Sequence, residues 1–123
     1  AGFGKDLPAG HFHGVAVHKS FGTYCAEVCE ISVDGDGVVQ IEKFTAAADC
    51  GVAVNPDVIK AQVEGAIGYG VGHIMRDEIT LDGGVVEQQN FPDYEPLRMR
   101  DIKEIEVHIV KSNEAPTGIG EPG

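Results

Sequence analysis

Two stretches near the start of the chain, His13–Val17 and Thr23–Val33, are dense in Val, Ile, Tyr and Ala and carry few helix signals. Both read as strands. The second ends at Asp34-Gly35-Asp36-Gly37, a turn sequence, and Val38–Thr45 resumes the extended pattern. This predicts an antiparallel hairpin over Thr23–Thr45, with glycines supplying the positive φ that the turn needs.

The periodicity then changes from strand to helix. Asn55-Pro56-Asp57 opens the helix: Asn can cap free N–H groups, Pro suits the first helical position, and Asp favours the positive end of the dipole. Ile59, Val63, Ile67 and Ile74 recur at helical spacing and predict one apolar stripe on a helix over about 55–75. Beyond it, Glu78–Leu81 and Val85–Gln89 flank Asp82-Gly83-Gly84, a second hairpin signal, and Glu104–Val110 reads as a further strand. Phe91–Arg100, with two prolines, is expected to be irregular, and Asn113–Gly123 is expected to be a loop. The predicted fold class is α+β, a mainly antiparallel sheet with one principal long helix.

The chain has 123 residues, the size of one domain, and its 42% hydrophobic and 24% charged content is that of a globular protein. A formal charge of −11 would repel nucleic-acid phosphates and anionic membrane surfaces, so neither is an expected partner. No apolar run approaches the ~20 residues of a membrane span, and the start lacks the apolar stretch of a signal peptide. These features predict a soluble chain. Cys25 and Cys29 lie four positions apart on a strand, about 13 Å, too far to be bridged, and the three cysteines read as small buried residues.

Candidate chemistry lies in the helix and the tail. Gly65, Gly68, Gly70 and Gly72 each cost about 1 kcal/mol relative to Ala inside a helix. Gly65, Gly68 and Gly72 fall in one narrow arc, flanked by Ala61 and the long amide of Gln62, leaving nearly bare backbone open either to tight packing or to a ligand. In Gly118-Ile119-Gly120-Glu121-Pro122-Gly123, proline pushes Glu121 toward an extended backbone and the glycines allow close approach. That arrangement suits an aimed base, or an exposed glutamate in a floppy tail. His11 and His13 would share a strand face but have no third ligand nearby in sequence. Asp34-Gly35-Asp36-Gly37 is followed by Val38 where a calcium loop needs oxygen, and Gly2-Phe3-Gly4-Lys5 lacks phosphate-loop spacing.

Asp49-Cys50-Gly51, Asn55-Pro56, Gln62-Val63-Glu64-Gly65-Ala66 and, about fifty residues on, Gly120-Glu121-Pro122 together resemble the C-terminal molybdopterin-binding domain of the xanthine oxidase family of molybdenum hydroxylases. The resemblance runs from about Gly10 onward. Through Gly14–Tyr24, Gln89-Asn90-Phe91 and Leu97-Arg98-Met99 it is most like large beta subunits of the isoquinoline 1-oxidoreductase type. It implies that Glu121 is the general base that activates the attacking oxygen. It also implies that Gln62 hydrogen-bonds the pterin, with Gly120 bordering the cofactor, and that no residue of this chain ligates the metal. The implied activity is hydroxylation of an N-heterocyclic or aldehyde carbon with oxygen from water, electrons leaving through iron–sulfur clusters.

The implied partners are the rest of a large subunit, a [2Fe-2S] small subunit and a small heterocycle or aldehyde. The implied source is bacterial, with cytoplasm and periplasm both open. Residues 1–123 would form a single domain or domain fragment of that subunit, expected to be inactive alone, to lack molybdopterin, and to self-associate as a homo-oligomer. The alternative is a non-catalytic protein-interaction module derived from the same domain.

Overall fold

The computed structural model describes residues 1–123. The strands are β1 (His11–Ser20), β2 (Thr23–Val33), β3 (Val39–Asp49), β4 (Leu81–Asp82), β5 (Val85–Val86) and β6 (Ile105–Ile109), with the single α-helix α1 (Pro56–Met75) between β3 and β4. The main sheet has the order β1-β2-β3-β6; its first three strands are antiparallel and β6 lies parallel to β3. The fold is therefore α+β with a mainly antiparallel sheet, as the patterning predicts.

The hairpin over Thr23–Thr45 is present and longer, since β3 continues to Asp49, and β1 extends the predicted His13–Val17 at both ends. The β1–β2 turn at Phe21-Gly22 has positive φ at both positions (50° and 82°), the twist a two-residue hairpin favours. In the β2–β3 turn, Asp34 Oδ1 accepts hydrogen bonds from the backbone N–H groups of Asp36 and Val38, each at 2.9 Å. A bulge follows: Glu30 pairs with Lys43 and Ile31 with Ile41, leaving Glu42 as the extra residue. Strict alternation would send Ile41 and Phe44 to opposite faces; the bulge lets both be buried.

Helix α1 begins where the sequence indicates, Asn55 Oδ1 accepting from the Val58 N–H at 3.2 Å with Pro56 in the first turn. Its buried stripe is Ile59, Val63, Ile67 and Val71, of which Val63, Ile67 and Val71 pack with Ile41, Phe44, Ala46 and Ala48 of β3. The predicted Ile74 is not part of it. At 83% exposure, Ile74 lies past the last turn that meets the sheet core, and Val71, four residues after Ile67, takes its place. The second hairpin also forms, but only two residues of each strand pair around Gly83-Gly84, and neither face is covered. Phe91–Arg100 is irregular apart from short 3-10 turns at Phe91–Asp93 and Met99–Asp101.

Candidate functional site

The site is built where β3 ends. Asp49 Oδ1 accepts from the Gly51 N–H at 3.3 Å, and Gly51 takes a φ of +75°. A side chain there would run into the carbonyl oxygen of Ala115, and the Glu114 carbonyl oxygen lies 2.8 Å from the same point. Gly51 is therefore the slot through which the tail passes. The flanking backbone fastens that passage: Val52 N–H donates to Glu114 O at 3.0 Å and Thr117 N–H to Cys50 O at 2.9 Å.

The β1–β2 turn holds the next part of the tail. Thr23, fully buried, donates from Oγ1 to the Gly118 carbonyl at 2.6 Å and lies 2.7 Å from Thr117 Oγ1. Gly118 N–H donates to Phe21 O at 3.1 Å, so close that a Gly118 side chain would meet Phe21 Cβ at 2.9 Å. Ile119 then packs on the hydrophobic core, Pro122 is buried, and Gly123 sits on the helix with Val63 Cα 3.0 Å and Ala66 Cβ 3.1 Å from the place its own Cβ would occupy. Of the floppy-tail alternative, the exposure of Glu121 holds and the looseness of the tail does not. The loop has no regular structure, yet it is fixed on both sides of Glu121.

This path seats Gly123, two residues after Glu121, on Val63 and Ala66 of α1, beside Gln62 in the helix sequence. Gln62 precedes Val63, on which Gly123 rests, and both Gln62 and Glu121 are exposed. Glu121 takes part in none of the chain's ion pairs. The glycine edge of the helix looks another way: Gly65 and Gly68, with Ala61 and Glu64, line a cavity of about 640 Å³ whose opposite wall is Leu97–Met99 and Ile102–Ile105. At 100° per residue Gln62 stands at the border between that cavity and the tail. A Cβ on Gly65, Gly68 or Gly70 would meet nothing within 4 Å, so tight packing within this chain does not account for these glycines. Gly72 differs, since its Cβ would lie 3.3 Å from the Asp77 carboxylate.

Sequence reasoning missed two features of the sheet. Glu30, cross-strand from His13, receives both imidazoles, His11 Nδ1 at 2.9 Å from Oε1 and His13 Nε2 at 3.4 Å from Oε2. These contacts, with hydrogen bonding to His11 as the largest cause, hold the Glu30 carboxyl below its usual range. The antiparallel register was the missing signal. On the opposite face, Cys25 is buried and burial pushes its thiol up to about 11, while burial also raises the neighbouring Glu27 carboxyl. No group of three or more His, Cys, Asp or Glu is arranged to hold a metal ion.

The residues present fit one wall of a cofactor site. An exposed amide, open helix backbone and the open Gly120 backbone can offer hydrogen bonds and close approach to a flat organic group.

Comparison with known proteins identifies the family. Residues 6–103 match the family model described as molybdopterin cofactor-binding domain, which includes Gln62 but not Glu121. Over 97% of its length the chain is 33% identical to a membrane-bound aldehyde dehydrogenase (pyrroloquinoline-quinone) of Gluconacetobacter polyoxogenes, and over 96% it is 29% identical to the isoquinoline 1-oxidoreductase subunit beta of Brevundimonas diminuta. It spans only 16% and 15% of those two proteins. Among solved structures, it resembles a reconstituted CO dehydrogenase from Oligotropha carboxidovorans (27% identity, TM-score 0.72, 81% of this chain and 13% of that one). It shares the fold of quinoline 2-oxidoreductase from Pseudomonas putida 86 (20% identity, TM-score 0.73, 80% of this chain and 13% of that one). The matched family model, the relatives and the fold converge: the chain belongs to the molybdopterin cofactor-binding domain family, within the molybdenum hydroxylases of the xanthine oxidase type.

Proposed function

We propose that this chain supplies one wall of the active site of a molybdenum hydroxylase that oxidises an N-heterocyclic or aldehyde carbon. In this reading Glu121 is the general base, Gln62 holds the pterin and Gly120 borders it. The observation that supports the proposal is the anchored tail: Pro122 is buried and Gly123 rests on Val63 and Ala66, the helix residues next to Gln62 in sequence. The relatives' printed names, an aldehyde dehydrogenase, an isoquinoline oxidoreductase and a nicotine 6-hydroxylase, support the substrate class.

When bound, the molybdopterin would supply the two-electron oxidising centre, with electrons passed on to the iron–sulfur clusters of a [2Fe-2S] small subunit. The chain's own contribution is positional and protonic. A carboxylate oxygen of Glu121 accepts the proton of the water-derived nucleophile as it attacks, which requires that oxygen within hydrogen-bond reach of the proton. Gly118, Thr117 and Pro122 limit where that carboxylate can go, and such restriction is a large part of what makes a base effective. The Gln62 amide can both donate to and accept from the ring edge of a pterin.

The test uses two substitutions in the full subunit containing this chain. Glu121→Gln keeps the shape but cannot take the proton, so molybdenum content stays near that of the unmodified enzyme while turnover falls ~10²–10⁴-fold. Gln62→Ala leaves cofactor atoms less well satisfied, a loss of ~1–3 kcal/mol that appears as reduced cofactor retention. Full activity at full occupancy in Glu121→Gln would remove the base assignment.

A further inference from the structure

Thr23 opens β2 directly after the β1–β2 turn, and its side chain is fully buried although it carries a hydroxyl. Burying a hydroxyl is costly unless it is hydrogen-bonded. Both of its partners come from the tail, the Gly118 carbonyl at 2.6 Å and Thr117 Oγ1 at 2.7 Å. A hydroxyl has one proton to give. Thr23 gives its proton to Gly118 O, so in the second contact the Thr117 hydroxyl is the donor. The result is a chain of hydrogen bonds from Thr117 Oγ1 through Thr23 Oγ1 to the Gly118 carbonyl. Each bond in such a chain strengthens the other.

The surrounding backbone admits this chain of bonds in one register only. A side chain at position 118 would meet Phe21 Cβ at 2.9 Å, and one at Gly22, which has a φ of +82°, would meet Thr117 Cγ2 at the same distance. The neighbours of Gly118 are Thr117 and Ile119, both β-branched, so a slip of one residue in either direction drives a branched side chain into Phe21. Glu121 stands three residues further on, and beyond it Pro122 is buried. A slip at Gly118 carried along the loop would set Gly120 or Pro122 in place of Glu121. We infer that Thr23 is a positioning residue for Glu121. It acts through the tail, where its bonds to Thr117 and Gly118 fix which residue reaches the exposed place and how far that residue can move. The inference rests on the reading of Glu121 as the base.

Thr23→Val keeps the shape and removes the hydroxyl, whereas Thr23→Ser keeps the hydroxyl. The amides of Thr117 and Gly118, which donate to Cys50 O and Phe21 O, report on the tail in the chain itself. In Thr23→Val these two amides should exchange about fivefold faster or more, as expected for one lost hydrogen bond, while the β2–β3 ladder amides change less. In Thr23→Ser they should keep the parent rate. In the full subunit, Thr23→Val should lower kcat about tenfold or more, with KM and molybdenum content near those of the parent, and Thr23→Ser should restore kcat. Because Thr23 acts through Glu121, adding Thr23→Val to Glu121→Gln should bring little further loss. Thr117→Val, at a half-buried position, cuts the same bonds from the tail side and takes the place of Thr23→Val if that variant does not fold. A loosened tail with kcat unchanged overturns the inference, as does a double variant whose two losses multiply. A fully active Glu121→Gln overturns the base reading and the inference with it, whereas unchanged exchange in Thr23→Val overturns the inference alone.

Discussion

At the scale of single residues, glycine carries most of the site's geometry. Gly51 is required twice, by its positive φ and by the Ala115 and Glu114 carbonyls packed where a side chain would stand. Gly51→Ala should therefore cost about 2 kcal/mol or more, because the alanine must adopt a left-handed backbone and also push the tail away. Urea unfolding checks the loss, and a midpoint unchanged from that of the parent chain would mean that the tail does not pass through this slot. The sequence marked Asp49-Cys50-Gly51 and Gly120-Glu121-Pro122 only as two parts of one resemblance. That the first clamps the segment leading to the second is a contact between residues more than sixty positions apart, which spacing cannot express.

Among the elements, α1 was the most legible. Its N-cap, its proline and the apolar positions Ile59, Val63 and Ile67 are local or periodic properties, and they hold in the structure. The error at Ile74 has a plain cause: periodicity says which way a side chain points but not where the sheet beneath it ends. Ile67→Ala should cost about 2–5 kcal/mol as a core truncation, whereas Ile74→Ala should stay within about 0.5 kcal/mol. Thermal unfolding of the two variants separates them, and comparable losses at both positions would return Ile74 to the core. The short β4–β5 hairpin is the complementary case. Its turn residues are right, but exposed strands with no face to bury pair over only two residues each.

For the whole molecule, the chain spans about a sixth of the length of relatives such as the aldehyde dehydrogenase and isoquinoline oxidoreductase proteins. In the proposed site a cofactor would be contacted mainly through Gln62 and the Gly120 backbone, leaving most of its polar atoms unsatisfied, so the purified chain should carry no molybdopterin. Near-stoichiometric molybdenum by elemental analysis would show that this wall suffices. The sequence by itself determined the α+β class, the first hairpin, the start and register of the helix and the two motif segments, because turn chemistry, capping and periodicity act over a few residues. Only the tertiary structure decided that Glu30 joins His11 and His13, that the bulge at Glu42 turns Ile41 and Phe44 inward together, and that the tail is anchored rather than loose. It also decided that Gly123 seats on Val63 and Ala66 while Gly65 and Gly68 face the cavity along Leu97–Ile105. Each of these depends on which distant segments the collapsed core brings into contact, and that is fixed by packing and cross-strand register rather than by any local pattern.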